Sequence, residues 1–263
     1  MQPLQEKKKA LIVVRTYPSP AKTGVEVSCT AAITDKDEWL RLFPVPWRYL
    51  PEDQRFRKYE WVEVTVTKAK DPRPESYRLI TDGIKILSYL EPGKEWQARK
   101  EIILPLKSHC LCCLIKQRDA QQYPTLGIIK PKKIERLIIT PDNPTWTDAQ
   151  LAILRQGHLF AEQPKHELEK VPFKFQYKFW CDEPTCNSHT MICTDWEIGE
   201  SWRKWSADYG DKWEEKFRLR YEKEMIEKYD THFYVGTVHQ YPGTWIIVGL
   251  FYAPYSQKGG SLF

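Results

Sequence analysis

Residues 171–205 read VPFKFQYKFWCDEPTCNSHTMICTDWEIGESWRKW, and the rest of the chain is interpreted outward from them. An alternating strand leads into a Cys/Cys/His cluster, and an acidic, tryptophan-rich helix start follows directly. The period of two predicts a strand with one aromatic face and one basic face. The aromatic face consists of Phe173, Phe175, Tyr177 and Phe179, and the other face carries Lys174, Gln176 and Lys178.

The cluster predicts a metal site. Its predicted ligands are Cys181, Cys186, His189 and Cys193. The first two are spaced C-x4-C, the histidine follows after two residues, and the last cysteine would lie one helical turn further on. Zinc takes four such ligands at tetrahedral corners, and a site with four protein ligands is structural. If Cys193 faces the core, the fourth ligand comes from elsewhere or is a water on a catalytic zinc. The alternative is a set of free thiols beside a surface histidine.

Two carboxylates follow this cluster closely. With His189, the side chains of Asp195 and Glu197 are candidate catalytic residues of a metal-dependent nuclease, because carboxylates and imidazole hold metal ions and activate water. A structural interpretation competes with this one. Thr194 and Glu197 match a capping box, and Asp195 is itself a good N-cap for the helix that follows.

A second group of cysteines lies in the sequence HCLCC at residues 109–113. Its apolar neighbours Leu106, Leu114 and Ile115 favour a buried helix over a redox or metal site.

Composition indicates the class of protein and its compartment. The chain has 263 residues, a formal net charge of +5, and 11 Trp, 14 Tyr and 10 Phe. A basic, aromatic-rich balance favours anionic partners such as nucleic acid. No apolar run approaches the ~20 residues of a membrane span, so a cytoplasmic protein without a membrane partner is predicted. The 7 cysteines, an odd number, favour reduced thiols over a disulfide framework.

The predicted fold class is α+β. Residues 1–92 read as a β-rich module that can form a partly open barrel, because strands are predicted at 9–17, 25–34, 38–43, 60–69 and 84–90. Residues 93–170 are predicted to be a helical and mixed connector, with the sequence TLGIIKPKK as a turn-rich link. Residues 171–263 form an α/β region with the Cys/His cluster, helices near 196–208 and 212–229, and a C-terminal hairpin.

Basic and aromatic residues interleave in three loops of the N-terminal module. Such a pattern suits a groove that tracks a nucleic-acid backbone and stacks its bases. A basic loop packed by aromatic side chains, without any ligand, is the alternative. The predicted nucleic-acid-binding residues are Arg15, Tyr17, Arg48, Arg55, Arg57, Lys58, Tyr59, Arg73 and Arg78.

The chain resembles a family of uncharacterised bacterial and archaeal proteins. The segments RTYPSP, EWLRLFPVPWRYL, KYEWVEV, RPESYR, GIIKPKKI and CDEPTCNSHTMICTDWE carry the resemblance, which spans nearly the whole chain. It implies a prokaryotic cytoplasmic origin and brings no assigned activity.

The function predicted from these observations is nucleic-acid binding, DNA or RNA, as an accessory component of a prokaryotic antiviral defence or mobile-element system. One alternative is a metal-dependent nuclease or base-processing hydrolase centred on the Cys/His/Asp cluster. Another is an interaction subunit that docks on a partner protein. The sequence lacks the G-x-x-x-x-G-K-[ST], G-x-G-x-x-G and G-x-S-x-G motifs, so the phosphate-binding loops and the serine elbow they mark are not expected.

Overall fold

The computed structural model describes residues 4–22, 25–156, 164 and 166–255. Its strands are β1 (Gln5–Arg15), β2 (Ser19–Pro20), β3 (Glu26–Thr34), β4 (Trp39–Val45), β5 (Glu60–Lys68), β6 (Ser76–Tyr89), β7 (Lys107–Ser108), β8 (Leu126–Ile129), β9 (Lys133–Pro141), β10 (Phe173–Trp180), β11 (His189–Ile192), β12 (Tyr229–Thr237) and β13 (Trp245–Pro254). Its helices are α1 (Gln97–Ile103), α2 (Leu111–Gln121), α3 (Asp148–Gln156), α4 (Trp196–Tyr209), α5 (Trp213–Arg218) and α6 (Met225–Glu227), with a π-helical segment, Leu219–Glu224, between the last two. The α+β class is confirmed.

The N-terminal strands form a closed barrel. The strand order is β1-β5-β6-β4-β3, and an additional pairing of β3 with β1 closes the circle. All pairs are antiparallel except β4 with β6, which run parallel. The alternation of side chains in β5 places Val62, Val64 and Val66 inside the barrel. This five-strand Greek-key connectivity is that of the OB-fold.

The apolar run in β1 is buried on both faces. Ala10 and Ile12 point into the barrel, whereas Leu11 and Val13 point outward and pack with side chains such as Val248 of β13. The outer face of β3 and β4 is covered in the same way, and OB-folds bind their ligands on the face of these two strands. In this protein the C-terminal sheet therefore occupies the usual ligand face of the barrel.

The C-terminal part contains two further sheets. The first has the order β13-β12-β8-β7, and its β12–β13 hairpin confirms the predicted one. The second has the order β11-β10-β9 and is antiparallel. Its aromatic face packs on the helices, with the rings of Phe175 and Phe217 stacked at 4.5 Å. Of the other aromatic side chains on these helices, Trp202, Trp213 and Tyr221 are also buried, whereas Tyr209 is exposed.

Two elements differ from the sequence predictions. The strand predicted from residue 84 begins at Ser76, and bulges keep its long path within the barrel. The predicted link TLGIIKPKK contains β8, whose four residues are all buried against β12. Pro124 and Pro131 suggest turns, but the apolar run between them pairs with the free edge of β12, the first strand of the hairpin. Within the predicted connector 93–170, residues 157–163 and 165 lie outside the described residues.

Within the described residues, no helix combines the length and the apolar character that are needed to cross a membrane.

Candidate metal centre

The turn between β10 and β11 supplies three metal-ligand side chains. Cys181 follows β10 directly, Cys186 lies in the loop, and His189 opens β11 opposite Phe179. The Cys186 N–H donates to the carbonyl of Glu183 at 3.0 Å, which closes the turn. The Cys181 N–H in turn points at the Cys186 sulfur at 3.3 Å. The loop therefore folds back on itself and turns both sulfur atoms toward the histidine.

The fourth side chain is Cys112, from the first turn of α2. Its sulfur lies 3.2 Å from Nε2 of His189. The ligand atoms of Cys112, Cys181, Cys186 and His189 all lie within 4.8 Å of one another, so this group can hold a metal ion. Sequence reasoning missed Cys112, which it assigned to a buried helix. The only available signal was the unusual density of cysteines in HCLCC.

Cys193 does not join this group. It was predicted to lie one helical turn beyond His189, but residues 189–192 form a strand. Four residues of extended chain span about 13 Å, too far for both side chains to bind one ion. Cys193 is buried in the core, and its backbone pairs with Ile247 of β13. Burial raises the pKa of its thiol well above the usual value.

Burial and neighbouring groups shift the pKa values of the four ligand groups in different directions. Burial, followed by the charge of Cys181, raises the pKa of Cys112 to about 12. Burial acts in the same direction on Cys186, but N–H groups of Cys181 and Ser188 outweigh it and lower the pKa of Cys186. Burial lowers the pKa of His189, which keeps the imidazole in the neutral form that binds metals. Its ring packs at 5.4 Å from that of Phe179.

A second group of potential ligands lies beside the first. Cys110 and Cys113 are joined by a disulfide, and their sulfur atoms and a carboxylate oxygen of Glu183 lie within 4.8 Å of one another. The sequence favoured reduced thiols over a disulfide framework and did not predict this single pair. Among the described residues, Cys29, Cys112, Cys181, Cys186 and Cys193 are free.

The predicted catalytic residues are divided between two places. His189 belongs to the cysteine group, whereas Asp195 and Glu197 lie with Lys58 of the barrel. Asp195 caps α4 by accepting the Glu197 N–H at 2.8 Å, which confirms its predicted role as the N-cap. The predicted capping box does not form, because the Thr194 hydroxyl donates to the carbonyl of Ile247 instead. It also accepts the Leu250 N–H at 2.7 Å. Lys58 lies 3.7 Å from Asp195 and 3.4 Å from Glu197.

This ionic cluster joins the barrel to the C-terminal part. Besides its two carboxylate partners, Lys58 donates to the carbonyl of Leu250 at 2.7 Å. Burial alone would lower the pKa of Lys58, but Asp195 and Glu197 together hold it well above the usual value. Glu197 also accepts the hydroxyl of Tyr252 at 2.9 Å. The cluster is an internal, charged contact between β13, α4 and the loop that precedes β5.

Most of the predicted nucleic-acid-binding residues have partners within the protein. The Arg15 guanidinium lies between the rings of Trp47 and Trp196, at 3.7 and 3.9 Å. Of the others, some form hydrogen bonds or ion pairs within the protein, one is buried, and one is exposed. Tyr17 donates to Glu169, Arg48 to Glu26, Arg55 to Leu50 and Arg73 to Asp71; Tyr59 is buried under Arg99; Arg57 is paired with Glu60 at the surface, and Arg78 is exposed.

Comparison with protein families divides the chain near residue 106. A family model described as Domain of unknown function (DUF8757) matches residues 107–263, more than half of the chain. The chain belongs to the DUF8757 family. A second model, described as Domain of unknown function (DUF8758), matches residues 6–105 and so covers the barrel and α1. A comparison with curated proteins finds no match.

The DUF8757 region also carries an open, basic sheet face next to the metal-ligand group. Residues that pair directly across antiparallel strands share a face. On β10 and β9 these pairs include Lys178 with Arg136 and Trp180 with Lys133, and Lys174 lies on the same side. Trp180, which immediately precedes Cys181, is 37% exposed. The alternation in β10 predicted this basic face. The cations of β9 were not predicted to share it, because a bulge interrupts the alternation of side chains in that strand.

Proposed function

We propose that this protein binds single-stranded nucleic acid on the open face of β9 and β10, beside a structural zinc ion. The observation that carries the proposal is the combination of four cations and one exposed tryptophan on a single sheet face. Single strands bind to positively charged surfaces on which aromatic side chains stack the bases. The face is formed by Lys133, Arg136, Lys174, Lys178 and Trp180.

The charges of this face are only partly neutralised by the protein. Lys178 pairs with Glu135 at 3.1 Å and Lys174 with Asp142 at 3.4 Å. Within the described part of the chain, no carboxylate lies within 4 Å of the Lys133 or Arg136 cations. Two of the four cations are therefore available to phosphates without the loss of an internal ion pair. Neighbouring strands lie about 4.8 Å apart, so Arg136 and Lys178 present their charges side by side.

Zinc is the metal that best suits the neighbouring ligand group. Three sulfurs and one imidazole nitrogen form one of the common structural zinc sets, and four protein ligands leave no open position. The ion would join α2 to the β10–β11 turn through Cys112. Because Cys181 follows Trp180 directly, the same ion would fix the end of β10 and the orientation of the stacking side chain.

Binding is better supported than the nuclease or hydrolase alternative. The imidazole of His189 points at three cysteines, whereas Asp195 is enclosed by Lys58 and two backbone N–H groups. The three predicted catalytic groups thus do not converge on one substrate position. A role in defence or in mobile elements, and docking on a partner protein, stay predictions from the sequence.

Removing the two unpaired cations should weaken binding and reduce its dependence on salt. Each phosphate contact to a single strand contributes about 0.7 to the slope of log K against log salt. The double variant Lys133→Gln, Arg136→Gln should therefore lower the slope by about 1.4 if both contact phosphate. Fluorescence anisotropy with labelled single-stranded DNA and RNA, measured at several salt concentrations, gives this slope.

The matched control removes the same charge from the helical side. Lys204 and Lys223 are exposed on the helices that cover the opposite face of the sheet. Lys204→Gln with Lys223→Gln should leave the slope unchanged, and equal losses in both double variants would contradict the proposal. On the sheet face, Trp180→Ala should cost about 1–3 kcal/mol of binding free energy. Tyr209→Ala, at an exposed aromatic residue of α4, should cost nothing.

A further inference from the structure

Cys110 and Cys113 form a C-x-x-C pair at the start of α2. The sulfur of Cys110 caps this 11-residue helix by accepting the Cys113 N–H at 3.0 Å. The two Cα atoms lie 5.2 Å apart, and the side chains are joined as a disulfide. Cys110 is fully buried, whereas Cys113 is partly exposed. An external thiol can therefore approach the pair at the Cys113 sulfur.

The pair is interleaved with the zinc-ligand group. Cys112, a ligand of that group, stands between the two paired cysteines in the chain. Glu183, whose carboxylate meets the pair, stands between Cys181 and Cys186. The same two segments thus supply both groups, and one additional carboxylate is aimed at the disulfide.

We propose that Cys110, Cys113 and Glu183 form a second zinc site that exists only when the disulfide is reduced. Zinc binds thiolates and carboxylates, and three protein ligands leave a fourth position for water. The Glu183 carboxylate has two partners at the surface, the ammonium of Lys116 at 3.6 Å and the hydroxyl of Thr185 at 3.2 Å. Both can be exchanged for an ion.

A disulfide and a metal ion compete for the same two sulfur atoms. In the reduced protein, the two thiolates and the carboxylate bind one zinc ion. A small-molecule disulfide then oxidises the site: one sulfur–sulfur bond forms between Cys110 and Cys113, and the bond of the small molecule breaks. The two thiolates supply two electrons to that molecule, which takes two protons from the solvent to give two thiols, and the zinc ion is released. The Cys112 group keeps all four of its ligands throughout.

The measurement is the zinc content of the full-length protein in its two redox states. One sample is kept oxidised and the other is reduced with a phosphine that contains no thiol. Both are dialysed against the same zinc buffer, and zinc is measured by mass spectrometry. The reduced protein should hold one equivalent more than the oxidised protein, and a small-molecule disulfide should release that equivalent. An equal content in both states would overturn the proposal.

Three variants locate the additional equivalent. The double variant Cys110→Ser, Cys113→Ser should hold the same zinc in both states, while serine preserves the helix cap. Glu183→Gln, at a surface loop, should weaken only the additional ion by about tenfold or more. Cys29→Ser, in the barrel, should change neither content. A redox-dependent equivalent that persists in the double variant would also overturn the proposal.

This inference does not depend on nucleic-acid binding. The difference between the two states measures the second site alone. The content of the oxidised protein measures the Cys112 group, so a failure of one site is distinguished from a failure of the other.

Discussion

Replacing Cys112 with serine should remove zinc from the oxidised protein and lower its stability. The ion would bind the folded chain through ligands that come together only in the fold. An ion present at 1,000 times its Kd stabilises a protein by about 4 kcal/mol. Loss of the ion should therefore lower the free energy of unfolding by a similar amount. Urea unfolding followed by tryptophan fluorescence, with and without a chelator, measures this loss.

The control for this variant is Cys193→Ala. Cys193 was an equally good ligand on sequence grounds, but it lies in the core beside β13. Its replacement should leave the zinc content unchanged. A chelator should still lower the free energy of unfolding of this variant as much as it does that of the unsubstituted protein. If Cys193→Ala loses the metal and Cys112→Ser retains it, the assignment of the fourth ligand is wrong.

Replacing Asp195 with alanine should destabilise the protein by about 3–5 kcal/mol, the cost of removing one partner from a buried ion pair. Asp195 is 3% exposed and accepts two backbone N–H groups as well as facing Lys58. The variant loses the cap of α4 and leaves the Lys58 ammonium with Glu197 alone. Chemical denaturation at neutral pH measures the change in the free energy of unfolding.

A double-mutant cycle separates the ion pair from the cap. Lys58→Met removes the cation while keeping much of its aliphatic volume. The double variant Lys58→Met, Asp195→Ala should lose less stability than the sum of the two single variants, because no buried charge is left unpaired. Strict additivity would show that the contact between the barrel and α4 does not depend on this pair.

Local patterns predicted the parts of the candidate site that are close in sequence. The alternation of residues 173–179 gave β10 and its two faces, and the spacing of Cys181, Cys186 and His189 gave the metal turn. The strand and the turn each lie within one short segment, so the spacing of the residues in that segment is enough to predict them. The cap at Asp195 was predictable for the same reason.

The remaining parts depend on contacts between distant segments. Cys112 lies 77 residues before His189, and only the packing of α2 against the β10–β11 turn brings them together. Lys58 meets Asp195 across the boundary between the two parts of the chain. Its basic, aromatic neighbourhood resembled a nucleic-acid loop because the sequence does not reveal which charges are neutralised by the fold. The step from His189 to Cys193 was interpreted as one helical turn, but residues 189–192 form a strand, so the fourth ligand is Cys112 and not Cys193.

The closure of the barrel also depends on contacts between segments that are distant in sequence. The alternation of apolar and polar residues predicted the strands of the barrel. It did not predict which strands pair, and closure requires β1 to pair with β3 and β4 to pair with β6. The C-terminal sheet covers the face on which OB-folds bind ligands. The surface proposed to bind nucleic acid therefore lies on β9 and β10 of the DUF8757 region.

Zinc X-ray absorption on the oxidised protein tests the metal centre most directly. The Cys112, Cys181, Cys186 and His189 group predicts three sulfur atoms at about 2.3 Å and one nitrogen at about 2.0–2.1 Å. In Cys112→Ser, any residual signal should lose one sulfur, whereas the spectrum of Cys193→Ala should match that of the unsubstituted protein. A shell of two sulfurs with oxygen atoms, or a spectrum that changes in Cys193→Ala, would contradict the centre described above.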